Sequence, residues 1–246
     1  MSGRGSGFWD GFAASYSAFQ QGDGPRRIVD RLFQLEILKP SDSVLEVAAG
    51  TGAYSIELAP RVRILTCMDS SERMLDKLFE SVRAHGFTNV ERFHKDWEEY
   101  IPRKGYCACL ATLCPGSDRP ESIRRMEGAA RETCAIVSWV VNHHDDLEMA
   151  VWDALGLERP HVGRGSTSAD EWLMENGRSP HVETFEVHVE AVMPAERKAS
   201  EIEGIFRASG VNADVRGTVM DIIGDEIYRY SANNCLKMVC WHIVES

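Results

Sequence analysis

No apolar run in this 246-residue chain approaches the roughly 18 residues that a membrane-spanning helix requires. Positive charge is also scarce: 27 Lys and Arg face 38 Asp and Glu, a formal net charge of −11. A basic face for the phosphates of a long nucleic acid is therefore not expected, and both membrane and nucleic-acid partners are disfavoured. The Gly/Ser-rich start, residues 1–7, reaches Asp10 before any apolar core builds, so it does not read as a signal peptide. The expected location is the cytoplasm. Seven cysteines are an odd number, and Cys107, Cys109, Cys235 and Cys240 fall inside apolar runs; reduced, buried thiols explain them better than a disulfide framework. Internal repeats and long low-complexity linkers are absent too, which leaves one domain spanning residues 1–246.

What is present is an alternation of strand and helix signals. Residues 8–34 are aromatic and glycine-containing, turning helical in pattern from about Arg26. Lys39-Pro40-Ser41-Asp42 breaks this pattern and leads into a strand over 43–47. A helix follows to about Ala59, then a strand over 63–68, a helix from an apparent capping box at Asp69-Ser70-Ser71-Glu72 to Gly86, and strands over 90–94 and 106–113. A helix over 120–133 and an apolar strand over 134–141 complete five units. Such alternation means a parallel sheet covered on both faces. Beyond it, 142–176 reads as helix and loop with a capping box from Ser168 to Glu171, 181–192 alternates as a strand, and 194–210 is a helix. Residues 213–220 and 235–244 read as two closing strands paired in a hairpin. The fold class is thus α/β: a mostly parallel sheet with an antiparallel closing strand. Residues 1–40 are an N-terminal helical segment, 41–141 the alternating core, 142–192 an insertion and 193–246 the closing elements.

The most informative stretch is Val44-Leu45-Glu46-Val47-Ala48-Ala49-Gly50-Thr51-Gly52. Gly50 and Gly52 let the backbone turn sharply and approach a ligand, and the helix that follows points free N–H groups at it. A dinucleotide fingerprint would place a third glycine where Ser55 stands, and no Gly-Lys-Ser/Thr of a phosphate loop follows. Glu46 inside the strand would oppose a pyrophosphate but suits an ammonium group. Asp69, ending the second strand, has two oxygens for two ribose hydroxyls. Asp96 beside Trp97, ending the third, suits an adenine amino group and a stacked face.

With these residues, Cys67-Met68-Asp69-Ser70-Ser71-Glu72-Arg73-Met74-Leu75 and Lys95-Asp96-Trp97, the chain resembles the class I S-adenosylmethionine-dependent methyltransferases. The resemblance covers residues 8–141 well and the remainder only by topology. It implies a Rossmann-like, seven-stranded, mostly parallel sheet, with residues 1–40 as an N-terminal helical lid, 41–141 as a cofactor-binding core and 142–192 as an acceptor-side insertion. It implies S-adenosyl-L-methionine as cofactor, with S-adenosyl-L-homocysteine as product. It also implies a binding set of Tyr16, Glu46, Ala48, Gly50, Thr51, Gly52, Asp69, Ser70, Met74, Asp96, Trp97 and Leu113. In it, Glu46 faces the methionine amino group, Asp69 the ribose, and Asp96 with Trp97 the adenine, while residues 9–16 resemble a lid that closes with Tyr16. Ala48 stands where the family usually has glycine, and Cys107 where the fourth strand commonly has Asp.

Methyl transfer from a sulfonium asks mainly for alignment in a dry pocket, so catalytic side chains are weakly encoded. His143 and His144, in Asn142-His143-His144-Asp145-Asp146 after the fifth strand, are candidate general bases. A divalent-metal site is a second reading of that stretch, and a polar loop with Asp145 or Asp146 capping a helix is the plainest; no metal is assigned. Leu113-Cys114-Pro115-Gly116 falls where the family places acceptor-facing backbone. Cys114 with Cys107 and Cys109 suggests thiol chemistry, though small core residues explain the latter two better. The Glu186, His188, Glu190 stripe fits a solvated strand face. The overall expectation is an enzyme methylating a small-molecule acceptor. Its rivals are a protein or RNA methyltransferase, or a non-catalytic regulatory protein that binds the cofactor.

Overall fold

The computed structural model describes residues 22–140, 146–158 and 168–244, together with Gly7, Trp9, Asp10 and Ala13. A first helix, α1 (Gly24–Gln34), starts with Pro25 in its first turn and buries Ile28, Val29 and Leu32 along one stripe. The chain then alternates through β1 (Ser43–Val47), α2 (Ser55–Leu58), β2 (Ile64–Asp69), α3 (Glu72–His85), β3 (Val90–His94) and β4 (Tyr106–Thr112). It continues through α4 (Pro120–Ala129) and β5 (Ala130–Trp139), then α5 (Asp146–Ala154) and α6 (Ala169–Glu175). The closing elements are β6 (His181–Pro194), α7 (Ala195–Ala208), α8 (Val215–Ile223) and β7 (Ile227–His242).

Seven strands form one sheet in the order β3-β2-β1-β4-β5-β7-β6. The pairs among β1 to β5 are parallel, whereas β7 runs antiparallel to both β5 and β6, so β7 alone is reversed. This is the expected Rossmann-like arrangement. Every residue of β1 is buried, because helices cover both faces of the central strands. One face packs Val44, Leu65, Ala108 and Val137 against α1, α2 and α3. The other packs Leu45, Val47, Cys109 and Ile136 against Ile123 and Met126 of α4 and Trp172 of α6.

The order reverses between β1 and β4, where the crossovers leave on opposite sides. A crevice opens there at the carboxyl ends of the strands, the usual ligand position in such sheets. The β6–β7 hairpin outruns β5: Trp139 pairs with Leu236, and residues 186–194 and 227–235 extend beyond it. A third apolar cluster fills that extension, joining Leu147 and Trp152 of α5, Ile202 and Phe206 of α7, Val219 of α8, and Met193 and Tyr228.

Four sequence expectations change. Residues 213–220 are not a strand: Asp214 caps α8 by accepting the Gly217 N–H at 2.9 Å, and Gly224 closes it at φ 61°. Val215 and Val219, four apart, are buried on one side, a helical spacing. The strand that pairs with the last one is β6, so residues 181–192, expected within an acceptor-side insertion, are a sheet edge. The helix expected over 120–133 ends at Ala129, because Ala130 is already extended (φ −101°, ψ 159°) and pairs with Tyr106. No glycine follows Ala129 to announce the change. The acid of the Asp69–Glu72 box is also not the cap of α3; Ser71 is, accepting the Met74 N–H at 3.1 Å.

Candidate functional site

The turn after β1 builds the floor of the crevice. Ala49 N–H donates to the Met68 carbonyl and Gly52 N–H to that of Ala49, both at 3.0 Å, which ties the turn to β2. Ala48 sits at φ 54° and Gly50 at φ 55°. Left-handed backbone is free for glycine and unfavourable for alanine, so Ala48 strains the turn as well as narrowing it. A side chain at Gly52 would run into Leu78 of α3 at 2.9 Å, so glycine there lets α3 pack against the turn.

Asp69 anchors this corner. Its Oδ2 accepts the Gly50 N–H and its Oδ1 the Ser71 N–H, each at 2.8 Å. Burial raises its pKa, and the backbone N–H groups of Ser71 and Gly50 pull it back. Each oxygen keeps a lone pair for a further donor. Glu46 is fully buried: Oε2 accepts the Ser55 hydroxyl at 2.5 Å and Oε1 the Thr112 hydroxyl at 3.3 Å. Desolvation pushes its pKa up to about 7, against the lowering effect of those two hydroxyls.

A cavity of about 690 Å³ lies above the turn, within the range of small-molecule sites. Ala48, Gly50, Met68, Asp69, Ser70 and Met74 form one side. Asp96 and Trp97 form another, and Trp97 is held there by several partners. Its indole N–H donates to Ser122 at 2.8 Å, Arg125 donates to its carbonyl at 2.7 Å, and Tyr100 stacks on it at 5.6 Å. Leu113, Cys114, Pro115 and Gly116, following β4, close the far side, with Trp9 of the N-terminal segment also on the wall. Leu113 takes φ 52°, its amide held by the Val137 carbonyl at 2.8 Å. The Cys114 thiol is pushed up to about 12, by burial first and then by nearby carboxylates, so it is protonated at neutral pH and unsuited to thiolate chemistry. Cys109 is buried in the core and Cys107 is half-buried.

Eight of the residues marked from sequence therefore share one cavity: Ala48, Gly50, Asp69, Ser70, Met74, Asp96, Trp97 and Leu113. Glu46, Thr51 and Gly52 are not on its wall; Glu46 and Gly52 brace the turn from behind. Tyr16, His143 and His144 lie outside the described residues, as does most of the stretch read as a possible metal site. Asp146 is the first residue of α5, and the position before it, where a cap would sit, lies outside the described residues. Among the described residues no group of three or more His, Cys, Asp or Glu is arranged to hold a metal ion. Glu186, His188 and Glu190 are exposed on β6, a solvated face. Sequence reasoning missed Met68, Ser122, Arg119 and Arg125. The first is hidden in an apolar strand, and only the β4–α4 crossover brings the other three to the crevice.

A family described as "Methyltransferase domain" matches residues 44–148, which run from β1 into α5 and contain every wall segment except Trp9. Residues 44–148 thus match a methyltransferase domain, set in a seven-stranded sheet of Rossmann-like order. An uncharacterized protein of Haemophilus influenzae is 25% identical over 138 residues, covering 54% of this chain and 50% of that protein. The 23S rRNA (uracil(1939)-C(5))-methyltransferase RlmD of Klebsiella pneumoniae is 29% identical over 69 residues, 28% of this chain and 16% of that enzyme. The chain thus spans half or less of the curated relatives it matches. In fold it is similar to the YcgJ protein of Bacillus subtilis (TM-score 0.54, 16% identity, 88% of this chain and 100% of the other). It is also similar to the protein in a DhpI–SAM–HEP complex (TM-score 0.55, 15% identity, 98% and 99%).

Proposed function

We propose that this chain transfers the methyl group of S-adenosylmethionine to a small-molecule acceptor. The observation that carries the reading is the division of one cavity into two sides. Asp69, Asp96 and Trp97 supply nucleoside-type partners on one side, and the largely uncharged Leu113–Gly116 wall stands opposite. The bound cofactor would supply an electrophilic methyl on a cationic sulfur. The residues present fit it: Asp69 has spare lone pairs for ribose hydroxyls, Gly50 has no Cβ to block approach, and Trp97 is fixed as a stacking surface. Glu46 acts through the turn, holding Ser55 at the start of α2 and Thr112 at the end of β4 together. Its negative charge behind Gly50 favours a cation at the methionine end.

The rest of the chemistry is alignment. The rigid turn and the 113–116 wall set the line of attack, and such alignment supplies much of the acceleration in reactions of this kind. His143 or His144 remains the proposed base for an acceptor that must lose a proton. A small acceptor is favoured over RNA by the net charge of −11 and by the carboxylates on the cavity wall. Incubation with methyl-labelled S-adenosylmethionine and fractionated cell extract tests this. Label in the low-molecular-weight fraction supports it, label in RNA or protein replaces it, and tight cofactor binding without any label marks a regulatory protein.

A further inference from the structure

The geometry points to Arg119 as an oxyanion subsite at the mouth of this cavity, for a carboxylate or phosphate group on the acceptor. The inference rests on the methyltransferase reading above. Of the three cations on the wall, two are already engaged: Lys95 pairs with Glu99 at 2.8 Å, and Arg125 donates to the Trp97 carbonyl. Arg119 makes no side-chain hydrogen bond or ion pair among the described residues, and it is exposed.

Its position is nonetheless defined. The guanidinium lies across Gly116: a Cβ there would meet Nε at 3.1 Å and Cζ at 3.2 Å. Gly116, at φ 78°, thus provides both the turn and the space on which the guanidinium rests. Arg119 is also the N-cap of α4, with Pro120 behind it, so the positive end of that helix adds to its field. The wall also carries four carboxylates, Asp69, Asp96, Glu98 and Glu121, so an anion needs a free cation to bind there. An anionic group is therefore directed to Arg119, whose planar N–H fork matches two oxygens of a carboxylate or phosphate.

The test uses full-length protein saturated with S-adenosylhomocysteine, titrated by ligand-observed NMR at low ionic strength with three probes: 4-methylbenzoate, phenyl phosphate and neutral 4-methylbenzamide. At least one anion should bind about tenfold more tightly than the amide, and which anion does so separates a carboxylate subsite from a phosphate subsite. R119Q should abolish the difference and R119K should retain part of it, with S-adenosylhomocysteine affinity unchanged in both. G116A, by displacing the guanidinium, should shrink the difference as well. Anions binding no better than the amide, or a preference that survives R119Q, overturns the inference. So does a tenfold loss of S-adenosylhomocysteine affinity in R119Q, which would assign the side chain to the cofactor. If wild-type protein fails to bind S-adenosylhomocysteine, the methyltransferase reading falls instead. The same three probes on the ligand-free protein then still decide the role of Arg119.

Discussion

The carboxylate of Asp10 accepts the Ser71 hydroxyl at 2.6 Å, across 61 positions of chain. Ser71 is also the cap of α3, and its own N–H is donated to Asp69. One serine therefore links the N-terminal segment, the start of a helix and the aspartate proposed to hold the ribose. Asp10 adds a long 3.4 Å contact from the Arg73 N–H, and its negative charge sits at the positive end of α3. Its neighbour Trp9 is on the cavity wall.

Asp10→Ala should therefore loosen the hold on Trp9 without unfolding the chain. We expect S-adenosylhomocysteine to bind about fivefold more weakly by calorimetry, about 1 kcal/mol, the typical net worth of one hydrogen bond. The melting temperature of the ligand-free protein should move little. An unchanged affinity would show that the Asp10–Ser71 contact has no part in closing the site.

Glu46 gives a pH prediction whose sign is the reverse of an ordinary ion-paired carboxylate. Its folded pKa, about 7, lies above the ordinary value of 4.5, so the native state binds more protons than the unfolded state between those values. Stability should fall as pH rises through that window and stay lower above it, by about 3 kcal/mol in the fully desolvated limit. Asp69, also raised, contributes in the same direction at lower pH. Urea midpoints from about pH 5 to about pH 8 should decline in the wild type and decline much less in Glu46→Gln. A cationic cofactor at the methionine end would favour the ionised form, so its affinity should rise with pH over the same range. Parallel stability curves for the two proteins would refute the assignment.

How much of this was readable in advance depended on whether the cause was local. The strand, turn and helix from Ser43 to Leu58 announce themselves through an apolar run and two glycines, and Asp69 and Asp96 follow because each ends a recognisable strand. The 213–220 stretch misled because its apolar residues suggested a strand, while the signals that decide it, Asp214 and Gly224, sit at its ends. The boundary at Ala130 carries no signal; pairing with β4 sets it. Arg119, Ser122 and Arg125 were illegible for another reason. They belong to the site only because α4 crosses back beside the loop that carries Trp97. The role of Glu46 was half legible: its acidity is plain in sequence, but its partners Ser55 and Thr112 come from two other elements.

Ala48 offers a test in the direction of gain. Held at φ 54°, an alanine costs about 1 to 2 kcal/mol relative to glycine, while glycine loses more entropy on folding. Ala48→Gly should raise stability by about 0.5 kcal/mol in denaturant titration and leave the turn's hydrogen bonds in place. A clear destabilisation would mean that the methyl group, which lies on the cavity wall, contributes packing that outweighs the strain.

Asp69 separates binding from support of the turn, because its oxygens already accept the Gly50 and Ser71 N–H groups. Asp69→Ala removes both and should lower cofactor affinity by one to two orders of magnitude, about 1 to 3 kcal/mol, while also destabilising the ligand-free protein by a similar amount. Asp69→Asn keeps one carbonyl oxygen as an acceptor but places an NH₂ against a backbone donor. It should therefore weaken cofactor binding nearly as much as alanine does. Calorimetry of S-adenosylhomocysteine binding beside denaturant titration distinguishes the two roles. A stability loss with intact affinity would leave Asp69 as a brace for the turn and move the ribose contact elsewhere on the wall.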